Sequence, residues 1–548
     1  MSAVNCTSFG LFYFRRMYKL YVTELVKTLF KSKDLSKFGK IIVMRLQFLP
    51  NKLPYLLLLV FLVGTACKKE EVLEEVQVQV TETTNQDTDD TAISLEGELQ
   101  ISDFVWEGLN QYYYWQEEVP NLADSKTSDE KAYAQFISDN SDPDTFFDSL
   151  LHENDRFSWI QDDYEELENL LQGIYASNGV EFGLTLACSN CDEVVGYVKY
   201  ILEGSDAVGK NIQRGDLFSG VNGITLTRNN YRDLLFGDVL TYTLNMAEFQ
   251  NGAIVTNGIE VNLTKEENFE TNPIQVSKTI QTSAGKVGYI MYNQFVGEKS
   301  PEINQVFGDL KSQEIAELIL DLRYNGGGSV RNCIELASMI TGQFDNEIFS
   351  KEQWNSKLEA FLIERYGVES LTDRFVNRLA ENDEAINSLN LNRVVIIATS
   401  ESASASELLI NSLSPYIDVI HVGEQTVGKN VGSITVYDYI DNEGTKNPDH
   451  KYAMQPIVLK IANREDYADY ANGLEPDNPI EEDITNLGIL GNTEEPLLAT
   501  AINALIGTGK PLIAKPAHSR DLLIKDPLLL KINGMHLDKA LFSNQGKR

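Results

Sequence analysis

Between residues 95 and 172 apolar positions recur at three- and four-residue steps. Ile101, Phe104, Val105, Leu109, Tyr112 and Trp115 fall on one face, and a second such run begins at 165–171. That period predicts a helical N-terminal domain over 95–178 with its aromatic stripe turned into a core. Past 179 the period drops to two. Segments 180–186 and 194–201 alternate as strands, a short helical stretch follows at 204–209, and Gly215-Asp216 and Asn222-Gly223 supply turn and hairpin signals. From about 274 to 507, apolar runs at 287–292, 318–322, 394–398 and 419–422 alternate with helical patterns, which predicts an α/β domain. The unbroken run 318–322 predicts a strand buried on both faces. Residues 510–548 show no assignable pattern.

The one strong apolar run near the N-terminus, 53–63, is interrupted by Pro54, preceded by Arg45 and Lys52, and followed by Gly64-Thr65-Ala66-Cys67. Counted to Ala66 it reaches about 14 residues, short of the roughly 20 that cross a bilayer as a helix. Its layout is that of a secretory signal over 44–66. A cysteine directly after small residues resembles the lipobox of bacterial lipoproteins. That implies lipidation at Cys67 and a membrane anchor in the cell envelope, facing the periplasm or on the cell surface. Met44 opens a signal of ordinary length, so 1–43 is expected to be an upstream extension from a miscalled start. Residues 67–94 lack apolar period and are expected to form a flexible acidic tether. Its opening, Lys68-Lys69-Glu70-Glu71, is similar to surface-export signals of some Bacteroidota lipoproteins.

Composition narrows the chemistry. Forty-six Lys and Arg stand against 81 Asp and Glu, a formal charge of −35 that repels phosphate backbones and argues against nucleic acid as a partner. Five cysteines in 548 residues exclude a disulfide scaffold. Cys188 and Cys191, in an expected hairpin, can form a local disulfide or remain two free thiols. No second such pair accompanies them, which speaks against a zinc site, and no metal or organic cofactor is implied.

Three segments carry chemistry. In Asp321-Leu322-Arg323-Tyr324-Asn325-Gly326-Gly327-Gly328-Ser329 a glycine triplet stands between a strand and a helix. Such a turn either packs tightly or aims N–H groups at an anion, and it lacks the Gly-Lys-Ser/Thr ending of a phosphate loop. The second is the small-residue run Thr399-Ser400-Glu401-Ser402-Ala403-Ser404-Ala405-Ser406-Glu407. It is either a bland helix cap or a place where a nucleophile sits beside the free N–H groups of a first helical turn. The third is Gly423-Glu424-Gln425-Thr426-Val427-Gly428-Lys429. Among His152, His421, His450, His518 and His536 none stands in a triad motif, so a Ser-His-Asp enzyme fits poorly. A lysine serves as base where burial lowers its pKa, and Lys429 follows an apolar strand and a glycine-containing turn.

Together these segments resemble the C-terminal processing (tail-specific) serine peptidases, which use a Ser-Lys pair and carry a PDZ domain before the protease core. The family's nucleophile lies three residues before the glutamate of a Ser-Ala-Ser-Glu segment, which selects Ser404 in Ser404-Ala405-Ser406-Glu407. Its lysine closes a Thr-Phe-Gly-Lys segment, read here as Thr426-Val427-Gly428-Lys429, and the separation of 25 residues agrees. The segment from Asp321 to Gly328 resembles the family's Asp-Leu-Arg-x-Asn-Gly-Gly-Gly. Asp155-Arg156-Phe157-Ser158 and Gly473-Leu474-Glu475-Pro476-Asp477 resemble its flanking signatures. The resemblance spans about 95–507. Many members place a lysine-orienting glutamine four residues after the lysine. Here that position is Ser433, which leaves Ser433 and Glu407 as candidates for orienting Lys429.

The resemblance implies a multidomain α/β (α+β) fold: a helical domain over 95–178, a PDZ-like β-rich domain over 179–270, a crotonase-like ββα protease core over 271–509, and an unassigned tail over 510–548. It also implies a serine endopeptidase in which Lys429 takes the Ser404 proton. Backbone N–H groups of Ala405 and of the Gly327/Gly328 turn would form the oxyanion hole. The PDZ-like domain would capture unstructured protein C-termini, with amides near Gly179 and Gly183 as a carboxylate loop. Two rival readings stay open. One is a binding or scaffold lipoprotein of the same fold with dead chemistry, which Ser433 favours; the other is a fold-mate using the glycine turn for thioester substrates.

Overall fold

The computed structural model describes residues 93–250, 252–283, 285–441, 443–507, 523–524 and 536–537. The expected extension, signal segment, lipidated Cys67 and the tether up to residue 92 lie outside the described residues. Among the described residues no helix is long and apolar enough to cross a membrane.

The chain opens with α1 (Glu98–Tyr112), α2 (Glu130–Ser138) and α3 (Pro143–Ser149). Asp129 and Asp142 cap the second and third by accepting first-turn N–H groups. Phe104, Val105 and Leu109 are buried, as the period required. The stretch to 178 is not all helical, however. It continues as β1 (Trp159–Gln161), α4 (Tyr164–Leu171) and β2 (Ile174–Ser177). A strand-rich segment follows with β3 (Val180–Leu186), β4 (Val194–Ile201), β5 (Leu217–Val221), β6 (Ile224–Thr225), α5 (Tyr231–Phe236), β7 (Thr241–Gln250), β8 (Ala253–Thr264) and β9 (Glu266–Glu270). Strands β3 to β8 form one antiparallel sheet in the order β3-β4-β5-β7-β8, with β6 on β5, so β3 is an edge. A disulfide joins Cys188 and Cys191 in the turn between β3 and β4.

Strands and helices then alternate: β10 (Ile274–Thr282), β11 (Gly285–Tyr292), α6 (Ser300–Ser312), β12 (Glu317–Asp321), α7 (Val330–Thr341), β13 (Ile348–Trp354), α8 (Ser356–Tyr366), β14 (Thr372–Arg374) and β15 (Arg393–Ala398). After these come α9 (Ala405–Leu413), β16 (Asp418–Gly423), β17 (Val431–Ser433), β18 (Val436–Tyr437), β19 (Ala453–Gln455), β20 (Ile457–Asn463), β21 (Asn478–Pro479) and α10 (Pro496–Ile506). The central sheet runs β10-β11-β12-β15-β16-β21, parallel except for β10 against β11. Alternate residues of β12 enter different cores: Leu318 and Leu320 pack with residues of α7 and α9, Ile319 with residues of α10. Two covered faces account for the unbroken apolar run. A second sheet, β14-β13-β20-β17, ends at β17. Strand β1 pairs with β19, far along the chain, which ties the N-terminal segment to the core.

Candidate active site

Strand β15 ends at Ala398, and the small-residue run carries the chain into α9. Ser404 is the N-cap, held at φ 63°, ψ −113°, a region that costs a non-glycine residue about 1–3 kcal/mol and persists only where its surroundings enforce it. Enforcement comes from a capping box. The Ser404 hydroxyl accepts from the Glu407 N–H, and the Glu407 carboxylate accepts from the Ser404 N–H at 2.8 Å. The neighbouring serines are committed elsewhere: Ser402 Oγ donates to Leu322 O at 2.7 Å and Ser406 Oγ to Asn325 O at 2.8 Å. These two bonds fasten the serine turn to the glycine segment. They also separate the structural serines of the run from the one at the helix mouth.

Glu407 reaches further. Its Oε1 accepts from Gly428 N at 2.7 Å and from the Thr426 hydroxyl, and its Oε2 accepts from Lys429 N at 2.8 Å. One carboxylate oxygen therefore sits between the main-chain nitrogens of Ser404 and Lys429, joining two segments 25 residues apart. Glu407 is buried; burial raises its carboxyl pKa, and the donors around it only partly offset that. Gly428, at φ +85°, allows close approach here, since a Cβ would lie 2.2 Å from Ala471 O. Glu407→Gln turns an amide NH2 toward donors that had an acceptor. It is expected to destabilise the protein by about 2–4 kcal/mol, read from urea unfolding; a change below about 0.5 kcal/mol would remove the clamp from consideration.

Lys429 is 2 % exposed. Burial lowers its ammonium pKa to about 8, with the carboxylates of Asp155 and Glu407 acting in the opposite direction. Its Nζ stands 4.9 Å from the centre of the Phe157 ring. That ring comes from the N-terminal segment, in a loop that Asp155 shapes by accepting from Phe157 N, Ser158 N and the Tyr113 hydroxyl. Arg156 fastens the same loop by donating to Val427 O at 3.0 Å and Ala471 O at 3.2 Å. In the sequence Asp155-Arg156-Phe157-Ser158 resembles a flanking signature; in the structure its Phe157 ring roofs the lysine amine.

The glycine turn is tied directly to the serine run. Asn325 O accepts from Ala403 N at 3.2 Å, and Gly328 runs beside Phe295, where a Cβ would fall 2.1 Å from Phe295 O. Beneath the turn Arg323 is fully buried and bonds Asp321, Glu482 and Glu495. Arg214 of the strand-rich segment joins the same cluster through Glu482 and Tyr324. Burial alone would raise the Glu482 carboxyl, but Arg214 and Arg323 hold it at about 2.

Not every expected site residue is placed as the sequence suggested. Gly327 N already donates to Asn325 Oδ1 at 2.9 Å, which takes it out of the oxyanion set. Gly328 N and Ala405 N donate to no acceptor among the described residues. Gly179 N donates to Ser177 Oγ at 2.9 Å and so is not a free amide of a carboxylate loop, while Gly183 lies in register with Tyr197 inside the β3–β4 pair. Ser433 sits in β17, paired to β20, whereas Glu407 holds the lysine's main chain. His421 lies in β16 with Nε2 3.3 Å from Ala398 O, and burial lowers its pKa. Among the described residues no group of His, Cys, Asp or Glu is placed to hold a metal ion.

Residues 286–458 match the family profile of Peptidase family S41, and residues 100–159 match the Peptidase S41 N-terminal domain. The chain carries the domains of peptidase family S41. Ser404 and Lys429 fall inside the first span, and the Asp155-Arg156-Phe157 roof falls inside the second. The chain is 26 % identical over 243 residues to carboxyl-terminal-processing peptidase 3, chloroplastic, of Arabidopsis thaliana, covering 43 % of each chain. It is 24 % identical over 262 residues to a carboxyl-terminal-processing protease of Picosynechococcus, covering 48 % of this chain and 51 % of that one. The matches thus span about half the length of these curated relatives or less. A crystal structure described as an S41 protease from Bacteroides fragilis shares the fold, with a TM-score of 0.58 at 23 % identity over 74 % of this chain and 98 % of that one.

Proposed function

We propose that the protein is a serine endopeptidase that cuts unstructured protein chains near their C-termini with Ser404 as nucleophile and Lys429 as base. The observation that carries this reading is the single Glu407 oxygen shared by Ser404 N and Lys429 N, next to a lysine amine that burial has made easy to deprotonate. The neutral amine takes the Ser404 proton as Oγ bonds to the scissile carbonyl carbon. The same proton then passes to the departing amine, and water repeats the sequence on the acyl-enzyme. Ala405 N, at the mouth of α9, and Gly328 N are the donors for the carbonyl oxygen as it becomes negative. The sheet β3–β8 supplies an edge, β3, on which an extended peptide adds as a further strand in the manner of a PDZ domain. A lipid on Cys67 would hold this activity in the cell envelope.

The test is incubation of the purified chain with an unfolded protein and mapping of fragments by mass spectrometry. Fragments are expected from the wild type and none from Ser404→Ala; identical fragment patterns from both would sink the reading. A second expectation concerns pH. Only the neutral amine can accept a proton, so kcat/KM is expected to rise about tenfold per pH unit and to level off near the lysine's pKa of about 8. A profile that falls across pH 6–8 would point to another base.

A further inference from the structure

Two short pieces of the C-terminal segment lie against the proposed substrate path. Leu523 pairs antiparallel with Thr185 at the edge of β3, and Ile524 N donates to Leu184 O at 2.9 Å. His536 is inserted between two segments of the active site. Its N–H donates to Gly328 O at 3.1 Å, its carbonyl accepts from Val330 N at 3.1 Å, and it forms parallel bridges to both Ser329 and Ser433. Leu537 N donates to Ser433 O at 3.0 Å, and the Leu537 side chain is buried in the main core.

Both places are where an extended peptide would be received. Strand β3 is the edge of its sheet, and edge strands template the addition of another chain. Gly328 belongs to the glycine turn that is bonded to the serine run through Asn325, and Ser433 lies four residues beyond Lys429. Ser404 is fully buried, so a protein substrate cannot reach it without displacing chain. Charge favours the arrangement as well. Residues 508–548 hold eight Lys or Arg against three Asp and no Glu, on a chain whose total is −35. A basic segment is attracted to an acidic body, which adds to the strand pairing made by Leu523 and His536.

We propose that the chain's own C-terminal segment is a built-in occupant of the substrate groove, seated on β3 through Leu523 and Ile524 and between Gly328 and Ser433 through His536 and Leu537, which a substrate must displace. Its effect on turnover rests on the peptidase reading; its occupancy does not.

The test replaces both donated N–H groups in the full chain, as His536→Pro with Leu537→Pro, since proline cannot donate. In a Ser404→Ala background, a fluorescent peptide of residues 533–540 is expected to bind the proline variant about tenfold more tightly than the unsubstituted tail, because a tethered competitor has been withdrawn. With Ser404 intact, kcat/KM on an unfolded protein is expected to rise about fivefold or more. Equal or weaker peptide binding in the proline variant would overturn the proposal even if hydrolysis is robust. Tighter binding with no hydrolysis in either chain would uphold it and sink the peptidase reading instead. Should the double variant fold poorly, Ile524→Pro removes only the bond to Leu184 O and is expected to raise kcat/KM about twofold; no rise there, in a chain with unchanged melting, overturns the proposal as well.

Discussion

Lys429→Met is expected to lose at least about 10³-fold in turnover while gaining about 1–3 kcal/mol in stability near pH 7. The two effects share one cause. Burial moves the lysine from its ordinary 10.5 to about 8, so at pH 7 the folded chain holds an ammonium ion where the surroundings disfavour it. A displacement of that size corresponds to about 3 kcal/mol between the protonation states. The sign follows from proton counting. Between pH 8 and 10.5 the unfolded chain binds the proton that the folded chain has released, so wild-type stability rises with pH through that window, and the methionine variant lacks the rise. Urea unfolding of both chains at pH 7 and at pH 10, beside hydrolysis of an unfolded protein, measures all of this. A methionine variant that turns over normally, or that loses more than about 1 kcal/mol at pH 7, would refute the assigned role. Lys429→Arg is expected to be equally inactive, because a guanidinium does not give up its proton at working pH.

Arg323→Met is the substitution expected to damage the fold most, at about 3–5 kcal/mol. Arg323 is fully buried and bonds three carboxylates, with both Asp321 oxygens, both Glu495 oxygens and one Glu482 oxygen within 3.0 Å. Removing the cation leaves Asp321 and Glu495 buried beside each other with no positive charge between them, and the loss reflects those stranded charges rather than a bond strength. Glu495 also caps α10 by accepting from Leu498 N at 2.8 Å, so the helix covering one face of the central sheet is loosened with it. Arg323→Lys keeps the charge without the fork and is expected to fall between the two. Chemical denaturation reads the effect directly; a loss under about 1 kcal/mol would mean that water or rearrangement satisfies the carboxylates. Catalysis should weaken as well, because Arg323 O accepts from the Thr399 hydroxyl at the start of the serine run.

Much of the site is local in sequence. Ser404 sits where a buried strand turns into a helix, and its capping partner lies three residues on, so strand, turn and cap are legible together in one short run. Lys429 closes a glycine turn after an apolar strand, but it stands out only through the resemblance of Thr426-Val427-Gly428-Lys429 to a family motif. The structural roles of Ser402 and Ser406 were not legible, because the carbonyls they bond belong to a different strand end. Gly327 was misjudged on the same ground: its N–H is used by a side chain two residues away, a matter of turn geometry rather than composition.

Periodicity by itself determined the helical, strand-rich and alternating α/β segments, while the choice of Ser404 and Lys429 came from the motifs that resemble a peptidase family. Those features follow from what each residue does within a few neighbours: burying a face, turning a corner, capping a helix. Only the tertiary structure decided that Glu407 joins the serine and lysine segments, that Phe157 roofs the lysine, that Arg214 and Arg323 share a carboxylate, and that His536 lies between Gly328 and Ser433. Each of these contacts joins segments brought together by sheet order and helix packing. Their energies come from desolvation and shared hydrogen bonds, which no linear pattern encodes.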